Sequence, residues 1–373
     1  MSAKQDCQPI IRFIRDRISA HPLKAIPFRD YMEICLYHET YGYYCRDEVK
    51  VGKEGDFYTS ANIGNIMGTI VGRSMARAAE ANGWSSGPLR IVEWGGGTGR
   101  MAGQILDAIA EASPSIYSRL EYVMAERSPV HRKLQQEELK RHANVRHILP
   151  EEWGRERIGE PVIVFSNELL DAFPVHRLMR KDGILHEVYV GWNEETESFE
   201  EKLVPLRGGP VSDWIETQGI RLLEGQIIEA NLEAGDWIKS IGEAIQEGML
   251  MTVDYGDVAD ELYAPHRMAG TLMCYRKHQA ASDPYAYPGE QDMTAHVDFT
   301  ACIRAGCEAG FDEWSLRTQK QFLIEEGVLE LLVAHDGSDP FSASARRNRA
   351  IRQLLLSDQM SELFKVLVQT KKR

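Results

Sequence analysis

A doubly wound α/β fold with a mostly parallel sheet is what this sequence predicts, and three observations predict it. Residues 89–109 run from an apolar stretch, Leu-Arg-Ile-Val-Glu-Trp, through glycines at 95, 96, 97 and 99, into Met101, Ile105, Leu106 and Ile109 at helical spacing. Strand, glycine turn and helix in that order are how α/β proteins seat a nucleotide-like ligand at the carboxyl end of a strand. Beyond this stretch, short apolar runs alternate with amphipathic ones. The runs are too continuously apolar to keep a solvent face, as is usual for parallel strands covered on both sides. Finally, several runs end in an acid or an amide: Glu93, Glu126, Asn167 and Asp254.

The elements follow in order. Ile10, Ile11, Ile14 and Ile18 fall at helical spacing, Pro22 and Pro27 end that region, and a second short helix is expected over 28–36. Ile63, Ile66, Met67, Ile70, Val71 and Met75 repeat every three or four residues, which predicts a strong helix. Strands are expected at 89–93, 120–126, 144–148, 161–166 and 248–254, with helices at about 98–111, 129–141 and 233–247. Residues 180–232 break this rhythm. There, 184–190 and 199–205 read as a hairpin joined by the acid-rich 193–201. The expected organisation is a helical N-terminal segment over 1–85 packing on the core, and a core over 86–179 and 233–318. An insertion of hairpin plus helix occupies 180–232, before strand five, and a helical C-terminal segment covers 319–373.

Composition bounds the function. At 373 residues with 43% hydrophobic content, a substantial core is available. The net charge of −13, with no long basic run, argues against nucleic acid as a partner. Six cysteines occur without any C-x-x-C pair, so no zinc ribbon or thioredoxin-type centre is signalled and no metal is expected. Reduced thiols in a cytoplasmic protein are the expectation. No stretch approaches ~20 apolar residues, so no membrane partner is expected. The hydrolase and phosphate-loop signatures G-x-S-x-G, H-E-x-x-H and G-x-x-x-x-G-K are absent.

Two cofactor classes compete for the glycine turn. Dinucleotides want G-x-G-x-x-G/A, met only permissively by Gly97, Gly99 and Ala102. The pattern acid-x-G-x-G-x-G is met by Glu93, Gly95, Gly97 and Gly99, with Gly96 between them. That is the S-adenosylmethionine (SAM) turn of class I methyltransferases. An acid there repels a pyrophosphate but suits the aminoacyl ammonium of SAM, so SAM is the expected cofactor and an NAD(P) oxidoreductase the alternative. Glu126, at the end of the second strand, is placed to accept both ribose hydroxyls. Its alternative role is a charge at a helix start.

The fourth strand runs into Ser166-Asn167-Glu168-Leu-Leu-Asp171. Asn167 is expected to line the methyl end of the cofactor. Glu168 and Asp171 stand three apart, which on a helix would put both carboxylates on one face. Such a pair can hold a guanidinium bidentately and fix its plane, and orientation is most of the catalysis in an in-line methyl transfer. An N-capping role for the same acids is the structural alternative. Asp254 and Tyr255, at the end of the fifth strand, are candidate substrate contacts. His296, just before a helix, is a candidate base or polar clamp.

Taken together these blocks resemble the MidA-type family of methyltransferases. The resemblance rests on Tyr41-Gly-Tyr-Tyr44, Gly55-Asp-Phe-Tyr-Thr-Ser60, Glu93 to Gly99, and Asn167-Glu-Leu-Leu-Asp-Ala-Phe-Pro174. Asp254-Tyr-Gly256, Gly270-Thr-Leu-Met-Cys-Tyr275 with His278, and Gln291-Asp-Met-Thr-Ala-His-Val-Asp-Phe299 complete it, spanning about residues 28–330. It implies a Rossmann-like class I methyltransferase core and SAM as cofactor. It further implies that Asp56, Thr59 and Ser60 approach or cover that cofactor. For the family's mitochondrial member it implies symmetric dimethylation of a protein arginine. One departure is visible: Thr59-Ser60-Ala61-Asn62 stands where the family commonly has Thr-Ser-Pro-Glu. Expected partners are therefore a methyl-acceptor protein or small molecule, with a homodimer as a further possibility. A small-molecule O- or N-methyltransferase and a non-catalytic assembly factor on the same fold are the alternatives.

Overall fold

The computed structural model describes residues 9–45, 65–155, 158–277, 279–334, 339, 341–356 and 362–373. The described residues form two compact units. One draws on 49–169, 238–256 and 303–373, and the other on 1–48, 170–237 and 257–302.

The first unit carries the predicted sheet. Its strands are β1 (Leu89–Trp94), β2 (Leu120–Ala125), β3 (Val145–Ile148), β4 (Val162–Asn167), β5 (Gly248–Asp257), β6 (Glu313–Thr318) and β7 (Phe364–Lys371), in the spatial order β6-β7-β5-β4-β1-β2-β3. Strands β3 to β5 along this path are mutually parallel. Strand β7 inserts antiparallel between β5 and β6. The chain steps outward from β1 to β2 and β3, then returns to β4 on the other side of β1. The carboxyl ends of β1 and β4 therefore flank the point where strand order reverses, the place such sheets use for ligands. This is the doubly wound, Rossmann-like architecture that the sequence predicts. The C-terminal expectation is corrected at one place: residues 364–371, expected within a helical segment, are β7. Phe-Lys-Val-Leu-Val-Gln-Thr-Lys is rich in strand-forming residues, and its pairing on both sides outweighs any helical tendency.

Helices α1 (Ile66–Ala81), α2 (Arg100–Ala112) and α3 (Pro129–Glu138) flank the sheet strands in sequence. The apolar positions of α1 and α2 are buried in one core with Ile91, Tyr122, Phe165, Met251 and Val366. Glycines set how closely α1 meets α2. A Cβ on Gly72 would lie 2.7 Å from the Ile105 carbonyl oxygen and 3.0 Å from the Ala108 Cβ. The nearest of these atoms is backbone, so it cannot swing away. Gly72→Val is expected to cost about 1–3 kcal/mol by overpacking, read as a lower urea midpoint with an unchanged slope.

The second unit contains helices over Pro9–Ala20 and Phe28–Tyr37, close to the expected bounds. Its larger sheet is antiparallel throughout. The strand Ile184–Asn193 pairs with Ser198–Pro205 as the expected hairpin, and also with His176–Lys181 and Ala25–Pro27; His176–Lys181 in turn pairs with Ile227–Ala230. A small sheet of Met273–Arg276, Gln279–Ala281 and Asp292–Thr294 completes it. Among the described residues, no helix is long and apolar enough to cross a membrane.

Candidate functional site

The carboxyl ends of β1, β2, β4 and β5 bring together most of the expected site residues. After Trp94 the chain turns through Gly95 (φ +65°), Gly96 and Gly97 (φ +51°) to Gly99 (φ +82°), which caps α2. Two glycines show why side chains are excluded. Gly97 holds a left-handed conformation, and among the described residues nothing lies within 4 Å of the place its Cβ would occupy. A ligand can therefore rest directly on its backbone. A Cβ on Gly96 would meet the Met124 methyl at 2.4 Å and the Glu93 carboxylate at 3.2 Å. The turn is thus bare on one side and backed by an acid.

Glu93 is buried, and the Tyr122 hydroxyl donates to its Oε2 at 2.6 Å. Burial pushes its pKa up to about 7; the Tyr122 hydrogen bond opposes that rise and the Glu126 charge adds to it. Glu126 is also buried. Its Oε1 accepts the Ser128 N–H at 2.8 Å and its Oε2 accepts Gln135 Nε2 at 3.2 Å. These bonds fix the carboxylate at the end of β2, where a ribose diol would meet it.

Gln135 is a residue that sequence reasoning missed. It is fully buried on α3, and the same Nε2 that binds Glu126 donates to the Gly97 carbonyl at 2.9 Å. One side-chain amide thereby locks the glycine turn to the Glu126 carboxylate. The only available signal is that Gln135 lies seven residues past the Ser128 cap, two turns along the helix. Gln135→Leu keeps the volume and removes both bonds. It is expected to raise the SAM dissociation constant roughly tenfold with kcat at saturation retained, measured by calorimetry and initial rates.

At the end of β4, Asn167 Nδ2 donates to Glu168 Oε1 at 3.1 Å. Glu168 has φ +52°, a left-handed conformation that costs a non-glycine residue about 1–2 kcal/mol. The helical spacing expected for Glu168 and Asp171 is corrected here. Glu168 lies outside any helix, and Asp171 sits in a separate 3-10 turn, Leu170–Ala172. The strain at Glu168 is held by β5: its N–H donates to the Val253 carbonyl, and the next N–H, of Leu169, donates to Asp254 Oδ2 at 3.1 Å. The Leu169 side chain packs over Gly95, 2.8 Å from where a Cβ would be, and so joins this bend to the glycine turn.

Asp254 and Tyr255 were expected to touch substrate. Asp254 is fully buried, and its second oxygen accepts the Tyr255 N–H at 2.9 Å, so the carboxylate clamps the Glu168 bend in place. The Tyr255 ring lies edge-on to Phe364, with centroids 5.4 Å apart, against the core.

The other unit holds Asp171 and His296. Asp171 is buried, and its carbonyl accepts the Ala295 N–H at 2.9 Å. The His296 N–H donates to Thr271 Oγ1 at 3.1 Å, and the residue lines a small cavity with Glu229, Tyr263 and Thr271. Asp56, Thr59 and Ser60 lie outside the described residues, as does His278.

The donor set fits SAM. The bare turn would receive the aminoacyl chain, the buried Glu93 beside it would face the ammonium, and Glu126, fixed at the end of the adjacent strand, would meet the ribose. Comparison with known proteins agrees. A family model described as "Putative S-adenosyl-L-methionine-dependent methyltransferase" matches residues 70–314. A crystal structure from Burkholderia thailandensis with S-adenosyl-homocysteine bound is similar at TM-score 0.86 and 30% identity, covering 97% of this chain and 92% of that one. Among curated proteins, the Drosophila melanogaster "Protein arginine methyltransferase NDUFAF7 homolog, mitochondrial" is 28% identical over 303 residues. That match covers 74% of this chain and 65% of the fly protein, just under two thirds of its length. The human protein arginine methyltransferase NDUFAF7, also mitochondrial, is 23% identical over 97% of this chain and 83% of its own. The protein is an enzyme and its cofactor is SAM. With the fold, the glycine turn and a matched region longer than half its length, the chain belongs to this family of S-adenosyl-L-methionine-dependent methyltransferases.

Proposed function

We propose that this methyltransferase acts on the guanidinium group of a protein arginine. One observation carries the proposal: Glu168 is held in a strained backbone conformation at the carboxyl end of β4, beside Asn167 and at the switch point of the sheet. Strain kept in place by a bond to the Val253 carbonyl and another to the Asp254 carboxylate argues for a functional demand on the Glu168 carboxylate. The names of the curated relatives support the choice of arginine.

When bound, SAM supplies a sulfonium methyl group open to in-line displacement. The chain's residues position the two reactants. Glu93 would face the ammonium, Glu126 would take the ribose, and Asn167 would line the methyl end. Glu168 accepts N–H bonds from the guanidinium and draws its positive charge toward the bonded nitrogens. That leaves a lone pair on the remaining nitrogen for attack. Free arginine has a pKa above ~12, so the proton leaves with or after methyl transfer, toward a carboxylate. Asp171 and His296 are further acceptor-side candidates in this scheme.

The setting is part of the proposal. The relatives' mitochondrial address belongs to them. Cytoplasmic surroundings for this chain belong to the proposal, in keeping with Cys35 and Cys274, which are free, buried thiols. A homodimer and the absence of nucleic acid or membrane partners belong to the same reading. Incubation of the protein with methyl-labelled SAM and cell extract tests the acceptor class. Label in protein that appears as methylarginine on hydrolysis supports the reading, and label confined to small molecules overturns it.

A further inference from the structure

We propose that Asp171, Asp292 and Thr294, framed by the rings of Tyr37, Tyr44 and Tyr275, bind the positively charged guanidinium of the acceptor. The inference rests on the arginine acceptor proposed above and adds to it a set of binding residues.

The geometry starts from one strand. Asp292–Thr294 pairs antiparallel with Met273–Arg276, with Asp292 opposite Tyr275 and Thr294 opposite Met273. Side chains alternate along a strand, so Asp292, Thr294 and Tyr275 share one face, while Met293 and Cys274 are buried on the other. The Tyr44 hydroxyl donates to both Asp292 oxygens, at 2.9 and 3.0 Å. Tyr37 stacks on Tyr44 with centroids 5.5 Å apart and planes 22° from parallel. The Tyr37 hydroxyl donates at 2.9 Å to the carbonyl of Ala172, in the 3-10 turn that carries Asp171. The bond from Ala295 to the Asp171 carbonyl ties that turn to the end of the strand.

The Asp292 carboxylate is therefore bonded to an aromatic hydroxyl, and Asp171 stands on a turn tied by backbone bonds to Tyr37 and to the end of the same strand. Burial, the nearby Asp292 and Asp171 push the Tyr44 phenol well above its usual pKa, and burial with Asp171 and Asp292 raises that of Tyr275. The independent observation is Thr294. Its side chain is 2% exposed, and its Oγ1 has no hydrogen-bond partner among the described residues. An unpaired buried hydroxyl is costly, and this one sits on the carboxylate-bearing face. A planar cation with several N–H donors answers all three features. Asp292, whose oxygens also accept the Tyr44 O–H and the Met293 N–H, and Asp171 supply the counter-charge, Thr294 Oγ1 accepts an N–H, and ring faces attract the cation. The three tyrosines are only partly buried, so the rim of the set meets solvent.

The test uses the full chain saturated with S-adenosylhomocysteine and two probes, Nα-acetyl-arginine amide and its neutral isostere Nα-acetyl-citrulline amide. Dissociation constants are read by ligand-observed NMR. The arginine probe is expected to bind at least tenfold more tightly than the citrulline probe. Asp292→Asn should remove most of that preference, with S-adenosylhomocysteine affinity unchanged. Thr294→Val, a milder change, should weaken the arginine probe several-fold and covers the case in which Asp292→Asn fails to fold. Equal binding of the two probes, or variants that retain the preference, overturns the inference. The two proposals can fail separately. Methylarginine formed with an unchanged acceptor KM in Asp292→Asn sinks only the binding set. Selective arginine binding with label confined to small molecules sinks only the arginine reaction.

Discussion

Glu168→Gln is expected to lower kcat by roughly 10²–10³-fold while SAM binds within about twofold of its normal affinity. The substitution keeps the length and shape of the side chain. It also leaves the left-handed backbone at φ +52° carrying a similar cost, so the bend held by Val253 and Asp254 stays in place. Asn167 Nδ2 can still donate to the retained Oε1. What is lost is the negative charge and one acceptor oxygen. A guanidinium spreads its charge over three nitrogens, and none is nucleophilic while that spread is even. An ionised carboxylate against two N–H groups biases the charge toward them, and a neutral amide does so far less. The loss therefore falls on the transition state, giving a fall in kcat with little change in ground-state binding. Single-turnover formation of methylarginine from labelled SAM, set beside calorimetry for the cofactor, separates the two. Turnover equal to wild type would remove Glu168 from the chemistry.

How far the sequence could carry this is clear from particular residues. Glu93, the glycines, Glu126 and Asn167 were legible because each lies where an apolar run stops, and in a parallel sheet every such stop faces the same edge. Gln135 was not, because its meaning depends on α3 folding back over the turn, and no local pattern marks a glutamine that bonds a carbonyl 38 positions earlier. The sequence singles out Glu168 and Asp171 but suggests the wrong local geometry for them. Spacing of three suggests a helical face, but a positive φ at Glu168 cannot be inferred from residue type, since glutamate rarely adopts it. Asp254 was read as facing substrate because it ends a strand. Two backbone N–H groups claim its oxygens, a contest that only tertiary structure decides. Strand β7 was lost within a C-terminal stretch read as mostly helical, and its identity comes from pairing with β5 and β6.

Glu93→Gln is expected to weaken SAM binding about 100-fold at pH 7.5, in line with the cost of truncating one partner of a buried charge pair. It should also abolish the acid limb of the binding profile. The reasoning starts from the raised pKa. Burial holds the Glu93 carboxyl at about 7 in the free protein, against an ordinary value of 4.5. In the free protein the group therefore contributes stability below about pH 4.5, and that contribution is lost as pH rises through 7. The ammonium of SAM reverses the preference by stabilising the ionised form. Binding below pH 7 must then expel a proton, and affinity should fall toward tenfold per pH unit as pH drops further. On the alkaline side the limit is the ligand's own α-amino group, which loses its charge near ~7.8. Wild-type affinity should accordingly peak between the two, close to neutrality. Glu93→Gln, with no carboxyl to titrate, should show the alkaline limb alone. Calorimetry from pH 5.5 to 8.5 in buffers of different ionisation enthalpy also counts the proton released. A wild-type profile flat from pH 5.5 to 7 would mean that Glu93 does not face the ammonium.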